Sequence, residues 1–196
     1  MGSADPFELR LAPSAPQWLD AVKADFDTFL RDHASCEKKA SGMAMNIASH
    51  YPDKPDLLRA MMDLAVEELS HYREVVRLLL DRGSAPGADS RDAYVHAMNG
   101  LIRRGTDVYL FDRLLVAAVI EARGHERFAL LAQQLEDESL RRFYRAISAS
   151  EDRHWTLFCE LAALYFPRDQ IVSRLAELVR HEARIVADLP PRAALH

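Results

Sequence analysis

An all-α fold is predicted for this chain: four long helices folded as two antiparallel hairpins, a long connection between the hairpins, and a further helix near the C-terminus. Three observations predict it. Apolar residues recur at helical spacing through four long stretches. Turn-forming residues fall between the first and second stretches and between the third and fourth. Seven glycines in 196 residues leave few places to break a helix. At 49% hydrophobic and 28% charged, the chain suits one domain over residues 1–196 with a substantial core, an N-terminal arm over residues 1–16 and a tail over residues 190–196.

Pro13 to Pro16 is a lead-in. Trp18, Val22, Phe26, Phe29, His33, Glu37, Ala40, Ala44 and Ile47 then form one helical stripe, which puts Glu37 on the face to be buried. Tyr51-Pro52-Asp53-Lys54-Pro55 ends that helix, because proline disfavours helical geometry in the residue before it, and Asp53 or Lys54-Pro55 opens the next. Leu57, Met61, Leu64, Glu68, His71 or Tyr72, Val75 and Leu79 make the second stripe. Arg82 to Ser90 is a loop by composition, and a short helix containing Tyr94, Met98 and Leu101 precedes Gly105. Thr106 is placed to cap the third long helix, whose Leu114 to Ile120 run is apolar all round and so deeply buried. Glu121 follows directly, and a carboxylate there is costly unless it is paired or bound to a cation. Asp137 or a neighbour opens the fourth helix, with Leu140, Phe143 or Tyr144, Ile147, Glu151, His154, Phe158 and Leu161 on one stripe. Pro167 breaks it. A last helix from Asp169 to Asp188 carries Ile171, Leu175, Leu178 and Ile185, and Pro190-Pro191 begins a tail expected to fray.

Glu68-Leu69-Ser70-His71 recurs as Glu151-Asp152-Arg153-His154, with a lone glutamate about one helix upstream of each copy, Glu37 and Glu121. Residues three apart share a helix face, so each Glu-x-x-His offers a carboxylate and an imidazole to one point. The spacing is 31 residues from Glu37 to Glu68 and 30 from Glu121 to Glu151, with midpoints at Pro52-Asp53 and at Glu136. Folding each pair as a hairpin brings its glutamates to one height, and six ligands converge. Taken singly, Glu-x-x-His is a common chance match, a lone glutamate is usually a surface charge, and a lone histidine is usually a bonded core residue. Those readings do not explain six polar groups on the inward faces of four apolar stripes. Two glutamates on two helices with a Glu-x-x-His on each of two others is the ligand set of ferritin-like di-iron and di-manganese bundles, which have the predicted long crossover. The class expected is therefore a ferritin-like four-helix bundle with an additional C-terminal helix. Four carboxylates, two neutral imidazoles and two divalent ions form a neutral site, and a donor set without thiolate suits iron or manganese better than structural zinc. Iron is favoured because O2 chemistry needs a redox metal.

The remaining candidates carry weaker signals. His33 and His125 lie four residues from Glu37 and Glu121, where they can bond those carboxylates, add ligands or simply pack. Tyr72, Tyr109 and Tyr144 can line a pocket or fill the core, and Tyr94 or Tyr109 can stack on a nucleobase. A formal net charge of −5 argues against a nucleic-acid binder held mainly by positive charge, although it leaves room for a local patch. Arginine makes up 21 of the 25 basic residues, which suits phosphate recognition and equally a general compositional preference. Lys38, Lys39, Arg141, Arg142 and Arg145 are the candidate phosphate contacts, and each also reads as a solvated charge. Cys36 and Cys159 lie on separate helices and stay thiols in a reducing compartment. No apolar run spans a membrane, and residues 1–16, in which Met1-Gly2-Ser3 reads as a cloning remnant, lack the pattern of a secretory signal. A cytoplasmic protein is expected.

The stretches His33 to Ala40, Glu67-Glu68-Leu69-Ser70-His71-Tyr72, Ile120 to Phe128 and Glu151-Asp152-Arg153-His154-Trp155 resemble those of the tRNA 2-methylthio-N6-isopentenyladenosine hydroxylases. The likeness runs from about Trp18 to the last helix. It implies a non-haem di-iron monooxygenase that uses O2 to hydroxylate the isopentenyl group on the adenosine next to the anticodon. By the same resemblance Glu37, Glu68, His71, Glu121, Glu151 and His154 are the ligands of two iron ions. Each turnover then needs two external electrons, and with no flavin or iron-sulfur motif in the chain a separate reductase is implied. An iron-oxidising or peroxide-scavenging protein of the ferritin or rubrerythrin kind uses the same donors and is the alternative, although the Cys-x-x-Cys module usual in rubrerythrins is absent.

Overall fold

The computed structural model describes residue 7 and residues 9–89 and 91–196; the start of the N-terminal arm, with Met1-Gly2-Ser3, and Ser90 of the loop lie outside the described residues. Regular structure among the described residues is entirely helical: α1 (Pro16–Ala24), α2 (Phe26–His50), α3 (Pro55–Asp81), α4 (Ala93–Asn99), α5 (Thr106–Gln134), α6 (Glu138–Tyr165) and α7 (Arg168–Asp188). They fall into two compact units, one holding α1–α3 with residues 191–195, the other holding α4–α7 with the described residues before Pro16 and His196.

In the first unit α2 and α3 pack as a hairpin. The turn between His50 and Pro55 lies where the proline pattern placed it, with Lys54 in the capping position and Pro55 opening α3. The stripe expected to run as one helix from Trp18 is interrupted at Asp25. Its backbone leaves the helical region at φ −142° and ψ 72°, and its side chain accepts a hydrogen bond from Thr28 N, so α2 starts afresh with its own cap. Ser41 Oγ donates to the Ala65 carbonyl at 2.8 Å and ties α2 to α3 midway along their length. The far end of α3 closes on Gly83 at φ 72°, with Gly83 N bonded to Leu80 O and Ser84 N to Leu79 O, a pairing that a left-handed glycine permits at little cost. The tail does not fray as expected. Trp18 Nε1 donates to Ala194 O at 2.8 Å, Leu195 N donates to Asp32 at 2.7 Å, and Ala194 and Leu195 are buried. Satisfied backbone groups and a buried leucine hold this segment.

In the second unit α5 pairs with α6, and α4 and α7 pack on α5. Leu114 to Val119 are all buried, as an all-round apolar helix requires. Thr106 is not the cap: Gly105 holds that position at φ 129°, a conformation open to glycine, and Thr106 is the first helical residue. Asp137 caps α6 by accepting from Ser139 N and Leu140 N, and the turn from Leu135 to Asp137 contains the midpoint between Glu121 and Glu151. Leu101 lies beyond the end of α4, which carries Tyr94 and Met98 on its buried face.

Two buried ionic clusters join α7 to α5. Asp112 on α5 is fully buried and accepts from Arg103 and from Arg174 on α7, whose Nη2 also donates to Leu101 O at 2.7 Å. Burial alone raises the Asp112 pKa, but the hydrogen bonds from the two guanidiniums outweigh it and hold the carboxyl below its ordinary range. Arg123, also fully buried, donates from Nε and Nη2 to the two oxygens of Glu182 on α7 at 2.7 and 3.0 Å, and from Nη1 to Glu126 and Ser14. Tyr94 adds its hydroxyl to Glu182. No helix among the described residues is long and apolar enough to cross a membrane.

Candidate metal centre

Each long hairpin carries one set of three donors. On α2 and α3 these are Glu37, Glu68 and His71, exposed by only 3%, 1% and 9%, with one ligand atom of each within 4.8 Å of the others. On α5 and α6 they are Glu121, Glu151 and His154, exposed by 8%, 3% and 2% and equally close. The register comes from the hairpins. The Ser41–Ala65 bond fixes the first at the height of Glu37 and Glu68. In the second, Ser148 O accepts from His125 Nδ1 at 2.8 Å, which fixes Glu121 and Glu151 at one height.

The first half shows its chemistry through its protons. His71 Nδ1 lies 3.3 Å from Glu68 Oε2 and 3.6 Å from Glu37 Oε2. Burial lowers the pKa of this imidazole, but hydrogen bonds to Glu68 and Glu37 outweigh that and raise it to about 10. Without a metal, therefore, a proton supplies positive charge between two buried carboxylates. A divalent cation bound between the same carboxylates would displace that proton. In the second half Glu151 Oε2 is buried and accepts no hydrogen bond among the described residues, lying 3.5 Å from His154 Nδ1. A buried carboxylate oxygen left this way is costly in a protein and is what a metal ligand looks like without its ion. Two carboxylates and an imidazole per half, with no thiolate among them, fit a hard or borderline divalent ion such as iron or manganese.

The weaker candidates separate. His33 is fully buried, and its Nε2 lies 2.7 Å from Glu37 Oε1. His125 instead serves the α5–α6 register and makes no bond to Glu121. Tyr144 is fully buried and stacked on Phe128 at 5.6 Å, so it fills the core. Tyr72 is half-buried. Tyr94 is buried, with its ring stacked on His196 at 4.7 Å, which corrects the expectation that it could stack on a base. Tyr109 is exposed, with the Arg113 guanidinium 5.6 Å over its ring. Lys38 pairs with Asp89 at 2.8 Å, Arg141 and Arg142 both reach Glu138, and Lys39 and Arg145 are exposed. Cys36 is half-buried beside Asp32, and Cys159 is buried. The sequence reading missed Arg123 and Arg127, both buried near Glu121. Arg127 keeps a hydrogen bond to Ser14, while burial, with the Arg123 charge adding to it, lowers its pKa to about 10.

Comparison with known proteins places these features. A tRNA 2-(methylsulfanyl)-N(6)-isopentenyladenosine(37) hydroxylase from Pseudomonas putida is 40% identical over 168 residues, 86% of this chain and 81% of that one. The protein of the same name from Salmonella typhimurium is 32% identical over 158 residues, 81% of this chain but 56% of its own longer sequence. Among solved structures, Protein 43 with aldehyde deformylating oxygenase activity from Synechococcus matches with a TM-score of 0.92 and 35% identity, covering 97% of this chain and 96% of its own. The ferritin-like all-α class expected from the sequence is thereby borne out, and the chain is an oxidoreductase. Two Glu-x-x-His helices with their partner glutamates thus sit in a chain matched along residues 7–196 by a single family profile, and it belongs to the tRNA-(MS[2]IO[6]A)-hydroxylase (MiaE) family.

Proposed function

We propose that this chain hydroxylates the isopentenyl group of 2-methylthio-N6-isopentenyladenosine beside the anticodon of tRNA, with O2 as co-substrate. In this reading Glu37, Glu68 and His71 on one hairpin and Glu121, Glu151 and His154 on the other are the ligands of two iron ions. The observation that carries it is the repeated set of buried donors, one per hairpin, in a chain whose curated relatives are named for that hydroxylation. Bound iron supplies the redox activation of O2, which the side chains here do not perform. The protein's residues do the rest. Four carboxylates offset the charge of two divalent ions, two imidazoles complete the donor set, and the apolar wall before Glu121 keeps bulk water from that ligand. Electrons come from a separate reductase, and the reaction takes place in the cytoplasm, where tRNA is met. A base in a single-stranded loop can be splayed out to reach buried donors, whereas one in a stem cannot. Tyr109, Lys39, Arg142 and Arg145 are exposed, and RNA meets the protein through groups of this kind.

A second reading takes an aldehyde as substrate, because the Synechococcus neighbour is titled for that activity. Iron oxidation or peroxide removal is a third. One assay separates them. The iron-loaded chain, with a chemical reductant in air, is given an anticodon stem-loop carrying the modified base, the free nucleoside, a long-chain aldehyde, or hydrogen peroxide. The expected result is a stem-loop heavier by one oxygen, with kcat/KM at least about tenfold above that of the nucleoside, because phosphate and stem contacts orient the base. Equal values for the two would mean that RNA contacts contribute nothing, and aldehyde turnover without RNA oxidation would select the second reading.

A further inference from the structure

We infer that His33 is a positioning residue for Glu37: its Nε2–H donates to Oε1 and leaves Oε2 as the ligand oxygen. The inference rests on the reading that Glu37 is a metal ligand.

The geometry is specific. His33 lies one helical turn before Glu37 on the buried face of α2, and at 2.7 Å its Nε2 takes one of the two carboxylate oxygens. Glu37's other oxygen, Oε2, is the one that faces His71, 3.6 Å from its Nδ1. The carboxylate is thus divided between a brace and the donor cluster. His33 is itself held, fully buried with its ring 5.9 Å from that of Phe29, so the brace cannot swing into solvent. A carboxylate fixed at one oxygen loses little further rotational freedom when its other oxygen meets a cation, and partners of this kind change metal affinity by roughly 10–100-fold.

In the second hairpin the histidine four residues from its glutamate does different work. This histidine, His125, lies one turn after Glu121 rather than before it, and its Nδ1 donates to the Ser148 carbonyl. Because Glu37 belongs to one donor set, losing the His33 brace should weaken the metal equivalent that Glu37 serves.

Metal-free protein is titrated anaerobically with Fe(II) against a competing chelator, with melting curves recorded in parallel. Wild type is expected to take two equivalents. His33→Gln, which keeps an amide N–H near the position of Nε2, should also take two, each within about threefold of the wild-type affinity. His33→Met, of similar bulk but with no donor, should lose at least about tenfold at one equivalent only, while remaining folded. Unchanged binding in His33→Met overturns the inference, and so does an equal loss in His33→Gln and His33→Met, which would mean that packing rather than the bond matters. If His33→Met does not fold, His33→Asn decides, since its shorter amide falls short of Oε1: the same single-site loss supports the brace, and full affinity overturns it. A wild-type chain that binds no iron would overturn the ligand reading beneath the inference, a result distinct from any His33 outcome.

Discussion

Glu68→Ala is expected to abolish turnover and to leave fewer than two iron ions per chain. Glu68 is 1% exposed and stands on α3 one turn before His71. On the proposed ligand reading its loss removes one donor and one negative charge, so the bound divalent charge would lack part of its compensation, and uncompensated buried charge is strongly disfavoured. Removing a hydrogen-bonding partner of a ligand already costs about 10–100-fold, so removing the ligand should exceed that. Glu151→Ala is expected to do the same from the other hairpin. Glu160→Ala is the control: on α6 with Glu151 but exposed, it should keep both iron and activity. Iron analysis with single-turnover hydroxylation measures both quantities. Wild-type iron content in Glu68→Ala would remove that residue from the site.

The hairpins were legible because their signals are local and redundant. Proline chemistry at Tyr51 to Pro55 and the capping aspartate Asp137 each mark a turn, and each turn contains a midpoint between paired glutamates. Where the reading failed, a weaker local signal competed with periodicity. The apolar stripe passes through Asp25 without a break in phase, so nothing in its spacing reveals that the Asp25 side chain caps a new helix at Thr28. Thr106 looked like a cap by residue type, but Gly105 alone can adopt φ 129° and takes the position.

Legibility of the site follows the same division. Each Glu-x-x-His is set by helical phase, and phase survives small errors in helix ends. The partners of those glutamates and histidines depend on which way a side chain turns, which spacing does not give. His33 and His125 are both four residues from a glutamate, yet one bonds its carboxylate and the other bonds Ser148. The buried arginines were missed because arginine is normally read as surface. A signal was present nonetheless: Glu182 continues the apolar series Ile171, Leu175, Leu178 on α7, and a carboxylate on such a face calls for a buried cation.

That pairing supports the second large prediction, that Glu182→Ala lowers thermal stability by about 3–5 kcal/mol, the usual effect of removing one member of a buried ion pair. Arg123 and Glu182 are both fully buried, and two hydrogen bonds at 2.7 and 3.0 Å join them. Without Glu182 the guanidinium keeps Glu126, which is 24% exposed, and the Ser14 hydroxyl, while Tyr94 loses its carboxylate. For a chain of this size the drop corresponds to a melting temperature lower by on the order of 10 °C. The double change Arg123→Met with Glu182→Leu should recover most of the loss, because well-packed apolar residues replace a buried pair at little or no net cost. Calorimetry of the single and double variants reads this directly. Glu182→Ala within 2–3 °C of wild type, roughly the shift from a single kcal/mol, would show that Glu126 and Ser14 suffice for Arg123. Arg123 is two residues beyond Glu121, so α7 clamps α5 beside a residue proposed to hold metal. Iron affinity in Glu182→Ala should therefore fall together with stability and return in the double variant.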